Sequence, residues 1–255
     1  VIDLNADRIA DRMYVADTGG AVWRIDLDDS DVANWDAPST LKVSGAIVPL
    51  FQAATGQAIT ADLVAALNES GEVMVFFGTG SFQNVGENVV GSSPTIESFY
   101  GIIDDDAVVA RSALLEQEIV AETTKNGNRF RRVTKNSLSG SNKGWYMDLV
   151  WKAIDGGPGA KGERVVSQAL VRADRVIFPT LIPSEDPCAA GGQSWLMELE
   201  MSSGAQLDYE VFDVNNDGVI DENDWIDGED KDGDGNPDPE PPSGVDPDIG
   251  IIQKP

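Results

Sequence analysis

Residues 11–27, DRMYVADTGGAVWRIDL, contain the pattern that decides the fold. An apolar strand over Met13–Ala16 leads into a glycine-containing turn at Thr18–Gly20, and a second strand with a tryptophan follows over Ala21–Leu27. Turn residues between two short apolar runs are typical of a β-hairpin. The segment therefore predicts two antiparallel strands joined by a tight turn.

The same order of strand, glycine-containing loop and aromatic strand recurs along the chain. It appears in EVMVFFGTGSF (72–82) with IESFYGIIDDD (96–106), in DRVIFPTLIP (174–183) with GGQSWLMELE (191–200), and in the single segment GWYMDLVW (144–151). Repeated units with one aromatic strand each are typical of β-propeller blades, because every blade needs neighbours to bury both faces. We predict an all-β fold, a partial (modified) β-propeller of four-stranded antiparallel blades; a generic antiparallel sandwich remains the alternative.

Few segments favour helices. ITADLVAALNESG (59–71) predicts a short amphipathic helix capped by Thr60 and ended by Gly71, and residues 105–120 predict either a weaker helix or a strand. From residue 208 onward Asp, Asn, Gly and Pro dominate. We expect propeller blades in residues 1–207, an acidic calcium-binding insertion in 208–240, and a C-terminal segment in 241–255 that could supply a closing strand.

The charge balance restricts the class of partner. The chain has 255 residues, with 44 acidic and 18 basic side chains and a formal net charge of -26. Nucleic acids and anionic membranes would be repelled, whereas cations and basic surfaces would be attracted. No apolar run approaches the roughly 20 residues that span a bilayer, so membrane insertion is not expected.

Two residue types bear on catalysis. The absence of histidine removes the commonest general base and zinc ligand. The single cysteine, Cys188, cannot form an internal disulfide, so we expect a small core residue or a half-cystine whose partner lies upstream. We expect a protein without enzymatic activity.

The chain begins at Val1, and we interpret it as a piece of a longer protein whose export signal lies upstream.

The segment DVNNDGVIDEND (213–224) fits a twelve-residue calcium loop. Oxygen-bearing side chains stand at positions 1, 3, 5, 9 and 12, a backbone carbonyl is available at position 7, and Gly218 stands at the sharp turn of position 6. The candidate ligands are Asp213, Asn215, Asp217, Val219, Asp221 and Asp224. Carboxylates crowded at alternate positions repel one another unless a cation lies among them, so this loop predicts a Ca²⁺ site.

Two further segments repeat this spacing. DKDGDGNPD (230–238) offers Asp230, Asp232, Asp234, Asn236 and Asp238. DLNADRIAD (3–11) offers Asp3, Asn5, Asp7, Ile9 and Asp11. In the second of these Arg8 stands where glycine is wanted, so that turn is expected to be strained. Solvated polar turns without an ion are the alternative for both.

These motifs together resemble the C-terminal part of the PilY family of type IV pilus tip adhesin and biogenesis proteins. The resemblance rests on residues 11–27, 76–82, 97–105 and 144–149, on FDVNNDGVID (212–221), and most specifically on residues 162–200. It implies a modified β-propeller, export through the periplasm to the pilus tip or cell surface, and no catalytic activity. It also implies that the loop at Asp213 is the calcium site that regulates pilus extension and retraction, with Asp213, Asn215, Asp217, the Val219 carbonyl and Asp221 as ligands.

The favoured hypothesis is a calcium-binding pilus-tip adhesin and assembly factor that supports twitching motility and surface attachment. The expected partners are minor pilins or other pilus tip proteins, host or abiotic surfaces, and the remaining N-terminal part of the same protein. Two alternatives stay open: a quinoprotein-like propeller dehydrogenase that uses calcium, and a cell-surface protein that calcium only rigidifies.

Overall fold

In the computed structural model, nearly all of the regular secondary structure that is described is β-strand. The structure describes residues 1–27, 41–44, 46–151, 159–186, 192–248 and 250–252. Cys188, predicted as a core residue or half-cystine, lies outside the described residues. No helix within these ranges is both long enough and apolar enough to cross a membrane.

Nineteen strands are found in the ranges that the structure describes. In chain order they are β1 (Arg12–Ala16), β2 (Ala21–Asp26), β3 (Lys42–Val43), β4 (Ala46–Ile47), β5 (Phe51–Gln52), β6 (Val64–Leu67), β7 (Val73–Gly78), β8 (Ser98–Asp104), β9 (Leu115–Lys125), β10 (Asn128–Val133), β11 (Gly144–Trp151), β12 (Leu170–Arg172), β13 (Arg175–Pro179), β14 (Ile182–Pro183), β15 (Gly192–Gln193), β16 (Leu196–Glu200), β17 (Ile226–Asp227), β18 (Pro239–Glu240) and β19 (Gly244–Asp246).

The strand pairs predicted from the repeated pattern are present. β1 and β2 form an antiparallel hairpin in which Val15 lies opposite Trp23. β7 pairs antiparallel with β8, and β13 pairs antiparallel with β16. The segment GWYMDLVW is β11, which pairs with β8.

Ten strands form one large sheet in the order β12-β13-β16-β19-β10-β9-β11-β8-β7-β6. Within it, β6-β7-β8-β11 is a four-stranded antiparallel unit. A parallel pairing of β11 with β9 joins this unit to the six strands on the other side. A smaller sheet, β1-β2-β5, packs against the outer face of the large one.

Strand β7 shows how the core is arranged. All of its residues are buried, and they alternate between two clusters: Met74 and Phe76 belong to one, Val73, Val75 and Phe77 to the other. Successive side chains of a strand point to opposite faces, so β7 is covered on both sides. Its burial on both faces explains why the sequence of β7 is a continuous apolar run rather than an alternation of apolar and polar residues.

The large sheet curls until its ends approach one another. Phe99 on β8 and Phe178 on β13 are six places apart in the strand order, yet their rings stack with centroids 3.7 Å apart. At the two edges, Gln168 Nε2 donates a hydrogen bond of 3.4 Å to the carbonyl oxygen of Leu63. The prediction of an all-β, modified propeller fold is confirmed.

The helix predicted over residues 59–71 is wrong. Residues 64–67 form β6, which pairs with β7, and Asn68 Oδ1 accepts hydrogen bonds from the amides of Ser70 and Glu72 in the turn between the two strands. An edge position beside the fully buried β7 outweighs the helical spacing. In residues 105–120, only Arg111–Ala113 form a short 3₁₀ turn, and β9 follows.

The acidic C-terminal region is attached to the body by its own small core. Phe212, Val214 and Ile226 pack against Phe130 of β10. Further on, β19 lies between β10 and β16 in the large sheet. The proposed boundaries after residues 207 and 240 stay predictions.

Candidate cation-binding loops

The three predicted loops have the same backbone conformation. In each, the fourth and sixth residues have positive φ, which turns the chain sharply twice. These residues are Ala6 (62°), Arg8 (74°), Asn216 (61°), Gly218 (84°), Gly233 (77°) and Gly235 (90°). Only glycine adopts this conformation without steric cost, so Arg8 and Ala6 are held there by their surroundings.

The side chains at positions 1, 3 and 5 are fixed by backbone donors of their own loop. The amide of residue 6 donates to the first aspartate: Arg8 to Asp3 Oδ2 (2.7 Å), Gly218 to Asp213 Oδ2 (2.9 Å) and Gly235 to Asp230 Oδ2 (2.9 Å). The amide of residue 5 donates to residue 3: Asp7 to Asn5 Oδ1 (2.9 Å), Asp217 to Asn215 Oδ1 (2.8 Å) and Asp234 to Asp232 Oδ1 (3.0 Å).

The same pattern continues at the next position. The amide of residue 7 donates to the aspartate at position 5: Ile9 to Asp7 Oδ1 (2.8 Å), Val219 to Asp217 Oδ1 (2.8 Å) and Asn236 to Asp234 Oδ1 (2.7 Å). A carboxylate oxygen that accepts one N–H keeps a second lone pair for a metal ion. The donor set of short carboxylates and amide oxygens therefore fits Ca²⁺, which prefers oxygen ligands.

In the first loop, Asp224 at the last position is hydrogen-bonded to the start of the loop. Its side chain is fully buried, and its oxygens accept hydrogen bonds from the amides of Val214 (2.8 Å), Asn215 (3.0 Å) and Asp221 (3.0 Å). Burial alone would raise the pKa of Asp224, but these amides, together with the charge of Lys125, lower it below its usual value. Asp221 caps a 3₁₀ turn over Glu222–Asp224 by accepting from the amide of Asn223 at 2.9 Å.

The second loop brings carboxylates closest together. One oxygen from each of Asp230, Asp232 and Asp238 lies within 4.8 Å of the others, and no other three Asp, Glu, His or Cys residues meet this condition in the described part of the chain. Asp238 Oδ2 accepts from the amide of Lys231 at 2.8 Å. The sequence of the loop at Asp213 fits the twelve-residue pattern most completely, whereas the proximity of the carboxylates favours this second loop.

The third loop, at the N-terminus, closes in the same way as the second. Asp11 Oδ2 accepts from the amide of Leu4 at 2.6 Å, as Asp238 does from Lys231 in the second loop. Asn5 Nδ2 also donates to Asp11 Oδ1 at 3.4 Å. The loop lies directly before β1, so its last residue is joined to the small sheet.

The similar proteins found by comparison share one name. No family model matches the chain. It is 32% identical over 212 residues to a type IV pilus biogenesis factor PilY1 homolog of Xylella fastidiosa, which covers 80% of this chain and 14% of that protein. It is 29% identical over 256 residues to PilY1 of Pseudomonas aeruginosa, covering 86% of this chain and 21% of that protein.

The fold agrees with these relatives. The crystal structure of the Pseudomonas aeruginosa PilY1 C-terminal domain superposes with a TM-score of 0.76, at 22% identity, over 99% of this chain and 55% of that one. The chain belongs to the PilY family and corresponds to the C-terminal part of its members. It spans only 14% and 21% of the length of the two PilY1 relatives named above.

The quinoprotein alternative would need a tryptophan ring exposed for stacking on the cofactor, but two tryptophans of this PilY-type domain are enclosed in the core. Trp145 and Trp195 are both fully buried, and Trp145 Nε1 donates to the carbonyl oxygen of Met201 at 2.9 Å. The guanidinium of Arg131 lies 4.0 Å from the ring centroid of Trp195. Neither ring therefore has a face open for stacking on a quinone.

Sequence reasoning missed two residues that contact the Asp213 loop of this PilY-family chain. Asn126 Nδ2 donates to the carbonyl oxygen of Val214 at 3.0 Å, and Lys125 Nζ donates to that of Trp225 at 2.9 Å. Lys125 is the last residue of β9, and Asn126 is the first residue of the turn that leads to β10. The dipeptide Asn126-Gly127 is a strong hairpin signal and could have located this turn, but not what it touches.

Proposed function

We propose that this chain is the calcium-binding C-terminal part of a type IV pilus-associated factor that is exposed at the pilus tip or cell surface. Its relatives are named as pilus biogenesis factors, which supports the pilus role. The observation that carries the calcium role is the common geometry of the three loops, in which positions 1, 3 and 5 present oxygen atoms that are held in place and could serve as metal ligands.

The chemistry of such loops is electrostatic. Ca²⁺ supplies the positive charge among Asp213, Asp217 and Asp221, and the same holds for Asp230, Asp232 and Asp238. The protein's part is to hold the oxygens in place through loop amides before the ion arrives. Extracellular modules of this kind bind at about 10⁻⁴–10⁻³ M, which suits calcium levels outside the cell.

The biological role proposed from this chemistry is support of pilus assembly, extension and retraction, and surface attachment. An ordered, charge-neutralised loop region would present a defined surface to minor pilins or other tip proteins. Deleting the gene should reduce twitching motility, and a deletion strain that twitches normally would argue instead for a purely structural cell-surface protein.

Calorimetric titration of calcium-stripped protein tests the binding role. We expect Asp217→Ala to remove one binding event, because the substitution deletes both the ligand oxygens and the acceptor of the Val219 amide. Glu222→Ala is the matched control, since it removes an exposed acid of the same loop at a position that is not a ligand. Equal stoichiometry in wild type and Asp217→Ala would reject the assignment of this loop.

A further inference from the structure

The turn of the β9–β10 hairpin holds both ends of the Asp213 loop. Asn126 donates to the carbonyl of Val214, the residue after the first aspartate, at 3.0 Å. Lys125 donates to the carbonyl of Trp225, the residue after Asp224, at 2.9 Å. Two adjacent side chains, one at the end of β9 and one in the turn, therefore contact the chain just inside the start and just beyond the end of a twelve-residue loop.

The turn itself is firmly placed. Asn126 (φ 52°) and Gly127 (φ 87°) both have positive φ, the conformation of a tight two-residue hairpin turn. The strands behind it pair continuously from Asn128 opposite Lys125 to Arg132 opposite Ala121. β10 also lies inside the large sheet, between β9 and β19. Movement of the turn would require opening of this sheet.

Val214 is also held by its own amide and by its side chain. The Val214 amide donates to Asp224 Oδ1 at 2.8 Å, while its carbonyl accepts from Asn126. Its side chain is fully buried and packs with Phe130 of β10. One residue, Val214, thus connects the first aspartate of the loop, the closing carboxylate and the hairpin turn.

We propose that the β9–β10 turn is the positioning element of the Asp213 loop, with Asn126 and Lys125 as positioning residues rather than ligands. The inference rests on the proposed calcium role of that loop. By holding both ends, the turn sets the separation of the carboxylates before an ion binds, which lowers the ordering cost of binding. Because coupling is reciprocal, an ion in the loop stabilises the hairpin turn by the same free energy.

Asn126→Gly isolates the amide contact. Glycine tolerates the φ of 52° at this position, so the turn is retained and only the side-chain donor is lost. Ala173→Gly is the matched control: Ala173 (φ 49°) is the first residue of the β12–β13 turn, which also has two residues of positive φ. Near-ultraviolet circular dichroism should show the same packed aromatic core in both variants.

Hydrogen exchange without calcium is the first measurement. The amides of residues 213–225 should exchange about 10-fold faster in Asn126→Gly than in wild type, and at the wild-type rate in Ala173→Gly. The second is a calcium titration in a background with Asp7→Ala and Asp234→Ala, where only the Asp213 loop retains its full donor set. There we expect Asn126→Gly to weaken binding roughly 10-fold, as for other residues that orient metal ligands.

The outcomes separate the two proposals. Unchanged exchange in Asn126→Gly overturns the positioning role, whatever the titration shows. Faster exchange with an unchanged calcium affinity overturns it as well, because the contact would then order the loop without serving the ion. If the Asp7→Ala, Asp234→Ala background with Asn126 intact takes up no calcium, the proposed calcium role of the Asp213 loop fails, and the exchange experiment alone decides whether the turn orders the loop.

Discussion

At the residue scale, the residue type at position 6 distinguishes the N-terminal loop from the other two. Gly218 and Gly235 have positive φ at position 6, whereas the N-terminal loop has Arg8 there, with φ of 74°. The Arg8 amide still donates to Asp3 Oδ2 at 2.7 Å, so the loop keeps the common geometry despite the side chain. A left-handed conformation of a residue with a Cβ costs about 1–2 kcal/mol, so this loop stores strain that the others avoid.

Arg8→Gly should therefore stabilise the protein. We expect a gain of about 1 kcal/mol in the free energy of unfolding, because relief of strain exceeds the added flexibility of glycine in the unfolded chain. Gly218→Ala should have the opposite effect; a Cβ there meets no atom within 4 Å, so only backbone strain is added. Urea unfolding measures both, and an unchanged or lower stability of Arg8→Gly would contradict the expectation.

At the element scale, the small sheet is attached to the large one through a buried carboxylate. The side chain of Asp104 at the end of β8 is fully buried and lies 2.9 Å from both Arg12 on β1 and Arg24 on β2. Tyr14 Oη donates to Asp104 Oδ2 at 2.6 Å. Burial and this hydrogen bond raise the pKa of Tyr14, so the hydroxyl remains a donor throughout the neutral range.

Breaking this attachment should be costly. Asp104→Asn removes the fully buried carboxylate, while Asp26 and Asp106 still pair with both arginines. We expect a loss of about 2 kcal/mol in the free energy of unfolding, because charged hydrogen bonds to Arg12, Arg24 and Tyr14 are weakened. Tyr14→Phe removes one hydrogen bond and should cost about 1 kcal/mol. The control is Asp105→Asn on the neighbouring residue, whose side chain is 34% exposed and paired with Lys143, where less than about 0.5 kcal/mol is expected. Equal urea midpoints for the Asp104 and Asp105 variants would refute the role of the buried carboxylate.

Elements encoded by local patterns could be predicted, and those set by distant partners could not. The β1–β2 hairpin follows from Thr18–Gly20 between two apolar runs, and the loop hydrogen bonds follow from the spacing of Asp213, Asn215 and Asp217. β6 was predicted as a helix because its strand character depends on pairing with β7. The parallel pairing of β9 with β11 and the contact of Asn126 with Val214, which is 88 residues away, leave no local signal.

At the scale of the whole molecule, the net charge of -26 opposes compaction. At 0.1 M, monovalent salt screens the repulsion between charges that lie more than roughly 10 Å apart. Such salt should therefore raise the melting temperature of any variant. A specific divalent ion acts differently, because it stabilises only the folded state that holds its site. At a calcium concentration ten times the dissociation constant, each occupied loop contributes about 1.4 kcal/mol.

Comparing calcium with sodium at equal ionic strength separates the two effects. We expect calcium to raise the melting temperature of the wild-type chain further than sodium does, and magnesium to do so less, because magnesium demands a tighter octahedral geometry. The triple variant Asp7→Ala, Asp217→Ala, Asp234→Ala should keep the sodium response and lose the calcium-specific increment. A control with the exposed acids Glu69, Asp105 and Glu222 changed to alanine carries the same net charge and should retain that increment. If both triple variants respond to calcium alike, the calcium response does not come from the three loops, and their assignment as calcium sites fails.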